Sequence, residues 1–93
     1  MRKEIIINAV LKYYGIEVKE LGTSYKNNNQ TNAREVLWWY LHDKENIPSQ
    51  KIAEAFNTNT DLVNTTLSRF RQKSAYPYIK DVVNFIENAL DSF

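Results

Sequence analysis

The chain has 93 residues, with 12 basic and 11 acidic side chains, one histidine and no cysteine, and 43% of its residues are hydrophobic. This length predicts a single domain over residues 1–93 and leaves no room for a second one. The lack of cysteine excludes a disulfide framework and a thiolate metal site. No apolar run is long enough to predict a membrane span or a signal peptide. We therefore expect a cytoplasmic protein that holds neither a metal nor a cofactor.

The first half of the chain predicts two helices separated by a polar loop. Apolar residues recur at helical spacing from Lys3 to Tyr14, Gly15 should cap the C-terminus of that helix, and residues 16–21 should form a single turn. This first apolar face comprises Ile6, Ala9, Val10 and Tyr13. Residues 23–32 predict the polar loop. A second helix over residues 33–43 should be capped by Asn32 or Thr31.

The second half predicts a helix-turn-helix followed by one further helix. Ser49 can cap a short helix through Phe56, and Thr60 can cap a longer helix that runs to about Lys73. The inward face of this longer helix comprises Val63, Leu67 and Phe70. Pro77 suits the first turn of a final helix. The fold class expected for the chain is therefore all-α, with about five helices and a central helix-turn-helix.

The outward face of the longer helix is polar and can form hydrogen bonds. In a helix-turn-helix this second helix enters the major groove of DNA, where Asn, Ser and Thr side chains can read base edges. The residues expected to face bases or phosphates are Asn59, Thr60, Asn64, Thr65 and Ser68. The cations expected to contact phosphates are Lys26, Arg34, Lys51, Arg69 and Arg71. The alternative is that two amphipathic helices pack together and leave a solvated outer face without a ligand.

Three segments carry a resemblance to a known family. They are Val10-Leu11-Lys12-Tyr13-Tyr14-Gly15-Ile16-Glu17-Val18-Lys19-Glu20-Leu21, Ala33-Arg34-Glu35-Val36 and Ile52-Ala53-Glu54-Ala55-Phe56. In this order and spacing the chain resembles, from Ile6 to Leu90, the C-terminal DNA-binding domain (domain IV) of the bacterial replication initiator DnaA. The resemblance implies a helix-turn-helix core shared with the Trp repressor. It also implies binding of double-stranded DNA, a phosphate contact by Arg34 and a role in the control of replication or transcription.

The chain departs from this family where the family contacts DNA. The family has an arginine-rich loop, but the matching residues 25–29 keep only Lys26. The family also follows its phenylalanine with a Gly-Gly-Arg-Asp-His-Thr-Thr motif, which residues 57–63 lack. The resemblance therefore implies a free-standing relative of the initiator with a different DNA target.

A second hypothesis is an interaction module that has kept the scaffold and lost DNA binding. The near-neutral charge and the adjacent Trp38 and Trp39 favour it, because an exposed tryptophan often anchors an interface. It predicts a protein partner, or a second copy of the chain, on these two indoles. The structural alternative is that one indole packs on the first helix and the other under the terminal helix. With His42 as its only imidazole, the chain is not expected to be an enzyme.

Overall fold

Five α-helices follow one another in the computed structural model, which describes residues 2–21, 28–72 and 77–92. Their bounds are Arg2–Tyr14 (α1), Asn28–Trp39 (α2), Ser49–Ala55 (α3), Thr60–Arg71 (α4) and Pro77–Asp91 (α5). A 3₁₀ turn, Val18–Leu21, follows α1, and a π-helical turn, Tyr40–Lys44, continues α2. The described residues contain no strand, and none of their helices is long and apolar enough to cross a membrane. The all-α prediction is confirmed.

The end of α1 is formed as predicted. Gly15 has a φ of 67°, a left-handed conformation that glycine adopts without strain. The N–H of Ile16 then donates to the carbonyl oxygen of Leu11 at 3.1 Å. Ile6, Ala9 and Val10 are buried. Tyr13, expected on the same buried face, is instead 40% exposed, and its ring packs edge-on against that of Phe85 in α5.

The start of α2 was predicted wrongly. The helix begins at Asn28, so the last part of the predicted polar loop is helical, and Thr31 and Asn32 lie inside the helix instead of at its cap. Asparagine and threonine favour caps and turns because their side chains compete for backbone hydrogen bonds. That preference is weak, and packing of the helix against its neighbours overrides it.

α2 lies at the centre of the fold. Every residue from Glu35 to Leu41 is buried, so no side of the helix faces solvent over this stretch. The helix packs against α1 on one side and α4 on another, while α1 also packs along α5. Burial all round the helix axis is typical of a core helix. α2 therefore supports the rest of the molecule and leaves the surface to the other helices.

The π-helical turn links α2 to α3. The N–H of Glu45 donates to the carbonyl oxygen of Tyr40 at 3.2 Å, and that of Ile47 donates to Leu41 at 3.0 Å. His42 is half-buried, and its Nδ1 lies 2.9 Å from the carbonyl oxygen of Ile47. Because a carbonyl oxygen only accepts hydrogen bonds, Nδ1 must carry the proton. His42 thus contributes a structural hydrogen bond to the connector.

Candidate nucleic-acid interface

α3, a turn at residues 56–59 and α4 form the predicted helix-turn-helix. The chain reverses at Asn57, which has a φ of 55°, and asparagine tolerates this left-handed conformation better than most residues. The N–H of Thr58 donates to the carbonyl oxygen of Ala53 at 2.9 Å and closes the end of α3. The turn thus leads directly from the end of α3 into α4.

Both predicted caps of this unit are displaced by one residue. Asn59, not Thr60, caps α4, because its Oδ1 accepts a hydrogen bond from the N–H of Leu62 at 2.8 Å. Pro48, not Ser49, precedes α3 and makes no side-chain capping bond. Ser49 is therefore the first residue of α3, and its hydroxyl bonds elsewhere.

The two indoles of α2 pack against the buried side of the helix-turn-helix. The ring of Trp38 lies 6.0 Å from that of Phe56 at the end of α3, and the ring of Trp39 lies 5.3 Å from that of Phe70 in α4. Trp38 is 1% exposed and Trp39 is 8% exposed. The exposed indole that the partner hypothesis requires is not found, since both rings are buried, and the partner itself stays a prediction. Trp39 instead borders α5 at Val83, in a shallow depression, as the packing alternative expects for one indole.

These contacts fix which face of α4 points outward. Val63, Leu67 and Phe70 are buried as predicted, and Thr66 is buried with its hydroxyl donating to the carbonyl oxygen of Leu62 at 2.8 Å. On the opposite side a shallow open depression is lined by Asn64, Thr65, Ser68, Arg69 and Gln72. Every one of these side chains can form hydrogen bonds, and none is acidic. The exposed acid of α4, Asp61, lies in its first turn.

A side-chain hydrogen bond joins α3 to this outward face. The hydroxyl of Ser49 donates to Oδ1 of Asn64 at 2.7 Å, across a sequence separation of 15 residues. Ser49 was not predicted to belong to the interface, because its position before an apolar helix predicted a cap. A polar side chain in the first turn of the first helix was the available signal. The bond holds the Asn64 amide in one orientation at the surface.

The predicted phosphate-binding cations have different surroundings. Arg71 forms a two-pronged ion pair with Asp43, with Nη2 2.8 Å from Oδ1 and Nε 3.4 Å from Oδ2. The hydrogen bond from this guanidinium, more than its charge, lowers the pKa of the Asp43 carboxyl. Lys51 lies 4.0 Å from Glu54, and both side chains are well exposed. Among the described residues, Arg69 is exposed and has no ion-pair partner.

Of the two other predicted phosphate contacts, Arg34 and Lys26, only Arg34 lies in the described part of the chain. Arg34 is half-buried, and its guanidinium carbon lies 5.3 Å from the centre of the Trp38 ring, so the cation stacks on a core residue. Lys26 lies outside the described residues. Lys44 and Lys80, which were not predicted to contribute to a site, line one depression with Trp39 and Asn84. Nothing in their spacing could have paired them, because the fold alone brings the end of α2 to the start of α5.

A metal site does not compete with this surface in the described part of the chain. Within residues 2–21, 28–72 and 77–92, no three His, Cys, Asp or Glu side chains lie together as metal ligands would. The chain matches no protein-family model, and neither a curated protein nor a solved structure shows significant similarity to it. Function must therefore be inferred from the geometry of α3 and α4 and from the side chains that they expose.

Proposed function

We propose that this chain binds double-stranded DNA as a helix-turn-helix, with α4 in the major groove. One observation carries the proposal: α4 is buried along one side by Val63, Leu67 and Phe70, and its other side presents a continuous row of hydrogen-bonding groups. A helix of this kind, held rigidly by a shorter helix packed across it, fits the groove and can read base edges.

The exposed residues divide into base-reading and phosphate-binding groups. Asn64, Thr65 and Ser68 lie on the outward face and would meet base edges, and Arg69 would reach a phosphate from the same face. The Oδ1 atom of Asn59 already accepts one hydrogen bond as the helix cap, so its amide N–H groups are the groups most available to DNA. Thr60 is half-buried at the start of α4 and can add a contact through its hydroxyl.

The remaining cations would have to exchange partners on binding. Arg71 would leave Asp43 for a phosphate, and Lys51 would leave Glu54, which at 4.0 Å and high exposure costs little. The carboxylate of Asp61, in the first turn of α4, would repel the phosphates of the DNA backbone. Few unpaired cations predict modest affinity and a shallow dependence on salt, because each neutralised phosphate contributes a slope of about −0.9 to log K against log salt.

We further propose that the chain is a divergent relative of domain IV of DnaA, with a role in replication or transcription control. The order of its helices and its helix-turn-helix support this. A protein with this role would act in the cytoplasm, which is the compartment that contains the DNA in bacteria. Self-association stays a prediction, but Trp38 and Trp39 are buried, so these two side chains do not support an interface for it.

The experiment is a fluorescence-anisotropy titration of a labelled random duplex pool at low and moderate salt. Wild-type protein should bind at low salt and weaken as salt rises. Arg69→Gln should make the slope of log K against log salt shallower by about 0.9, the contribution of one phosphate contact. The matched control is Lys12→Gln, which removes one exposed positive charge on α1, where Lys12 lines a depression with Phe85 of α5. No binding at low salt, or equal effects of the two variants, would overturn the proposal.

A further inference from the structure

The amide of Asn64 is the one base-reading group on α4 whose orientation the fold fixes from a second helix. Ser49 Oγ donates to Asn64 Oδ1 at 2.7 Å. Both side chains are at the surface, and Asn64 lies in the N-terminal half of α4, the part of a recognition helix that contacts base edges. Among the described residues, Nδ2 of Asn64 has no hydrogen-bond partner.

This bond changes the balance between the acceptor and the donor groups that Asn64 offers to a ligand. An asparagine amide has one acceptor oxygen and a nitrogen with two donor hydrogens. Adenine is normally read by using both ends at once, because its N7 accepts while its N6 amino group donates. When Oδ1 already accepts from Ser49, one of its two lone pairs is used, so the adenine pairing has a weaker acceptor end, while both Nδ2 donors stay available.

We infer that Ser49 makes Asn64 a reader of guanine, which presents two acceptors, N7 and O6, in the major groove. Ser49 is a positioning residue, and Asn64 is the residue that contacts the base. This inference rests on the proposed DNA binding and specifies its target: a duplex site with a G·C pair opposite the first half of α4.

The inference is tested by base preference, which would not change with Ser49 if its hydrogen bond to Asn64 were purely structural. A randomised duplex pool is selected with the 93-residue chain and with four variants, and the base preference at each position is compared. Asn64→Ala should remove the preference at one base pair, about 10-fold or more, and leave other positions unchanged. That base pair is then the one contacted by Asn64, and the wild type should prefer G·C at this position.

Ser49→Ala should shift this position from guanine towards adenine, because Oδ1 is released. Ser49→Thr keeps the hydroxyl and should retain guanine. Ser92→Ala is the matched control: it removes an exposed hydroxyl that donates to the carbonyl oxygen of Asn88 at the end of α5, outside the proposed interface, and should leave the Asn64 position unchanged. Thermal unfolding of each variant separates loss of fold from loss of specificity.

Three outcomes would overturn the inference while the proposed function stands. They are a wild-type preference for an A·T pair at the Asn64 position, binding without any base preference, and a Ser49→Ala variant that weakens all sequences equally. The absence of duplex binding by wild-type protein would overturn the proposed function and this inference together.

Discussion

The cap of α4 gives a sharp test of the structure, because sequence and structure assign it to adjacent residues. Asn59 has an extended φ of −109° and accepts a hydrogen bond from the N–H of Leu62 at 2.8 Å. Thr60 is the first residue inside the helix. Substitution of Asn59 by alanine removes the acceptor and leaves one N–H of the first turn to water.

The expected loss is about 1 kcal/mol of unfolding free energy, the usual value for an N-cap asparagine replaced by alanine. For a domain of this size that loss corresponds to a decrease in Tm of about 4–8 °C. Asn59→Asp keeps an acceptor and adds a favourable negative charge at the helix N-terminus, so it should stay close to wild type. Thr60→Ala should change stability by less than about 0.5 kcal/mol.

The assay is thermal and urea unfolding followed by circular dichroism for the four proteins side by side. If Thr60→Ala were the costly change and Asn59→Ala the mild one, α4 would begin one residue later than described. The outward face of α4 is set by its buried residues and would not change, so this result would refute the assignment of the cap and the use of Asn59 Oδ1 in it.

Three further predictions concern the residues around α4. Phe70→Ala should cost about 3–5 kcal/mol, because the ring is 1% exposed and packs on Trp39, and urea unfolding should find little folded protein left. Asp43→Asn should flatten the acid end of the stability curve. The lowered carboxyl pKa contributes stability above about pH 4 that is lost as pH falls through the folded pKa, here no more than about 0.5 kcal/mol for an exposed pair. The double variant Thr65→Ala, Ser68→Ala should raise Tm while it weakens duplex binding, and a variant with both quantities unchanged would argue against a ligand on this face.

The helices could be predicted from the sequence because their apolar spacing is regular. Ile79, Val82 and Ile86 of α5 are buried at helical spacing, and the inward residues of α4 are buried as expected. The glycine that ends α1 was also identified correctly, since a glycine directly after an apolar helical run is typical of a helix C-terminus. These features depend on residues that are close together in the sequence, so the sequence is enough to predict them.

The errors arise where distant parts of the chain meet. Packing of both indoles was one of the two alternatives, but their ring neighbours, Phe56 for Trp38 and Phe70 for Trp39, could not be predicted from the residues around them. The Arg71–Asp43 ion pair spans 28 residues, and the fold alone brings the two side chains together. Cap positions differ by one residue because Asn59 and Thr60 are both good caps, and only the backbone conformation decides between them.

The composition of the outward face of α4 itself favours a ligand. An exposed helix face that serves only solvation is most stable with alanine, lysine, glutamate or arginine, which are the better helix formers. This face instead exposes Asn64, Thr65 and Ser68, which are each less favourable by roughly half a kcal/mol in a helix. The inward residues and the two indoles already secure the helix, so it tolerates this cost. Side chains that weaken the helix yet carry hydrogen-bonding groups in a row fit the base edges of a duplex better than they fit contact with water alone.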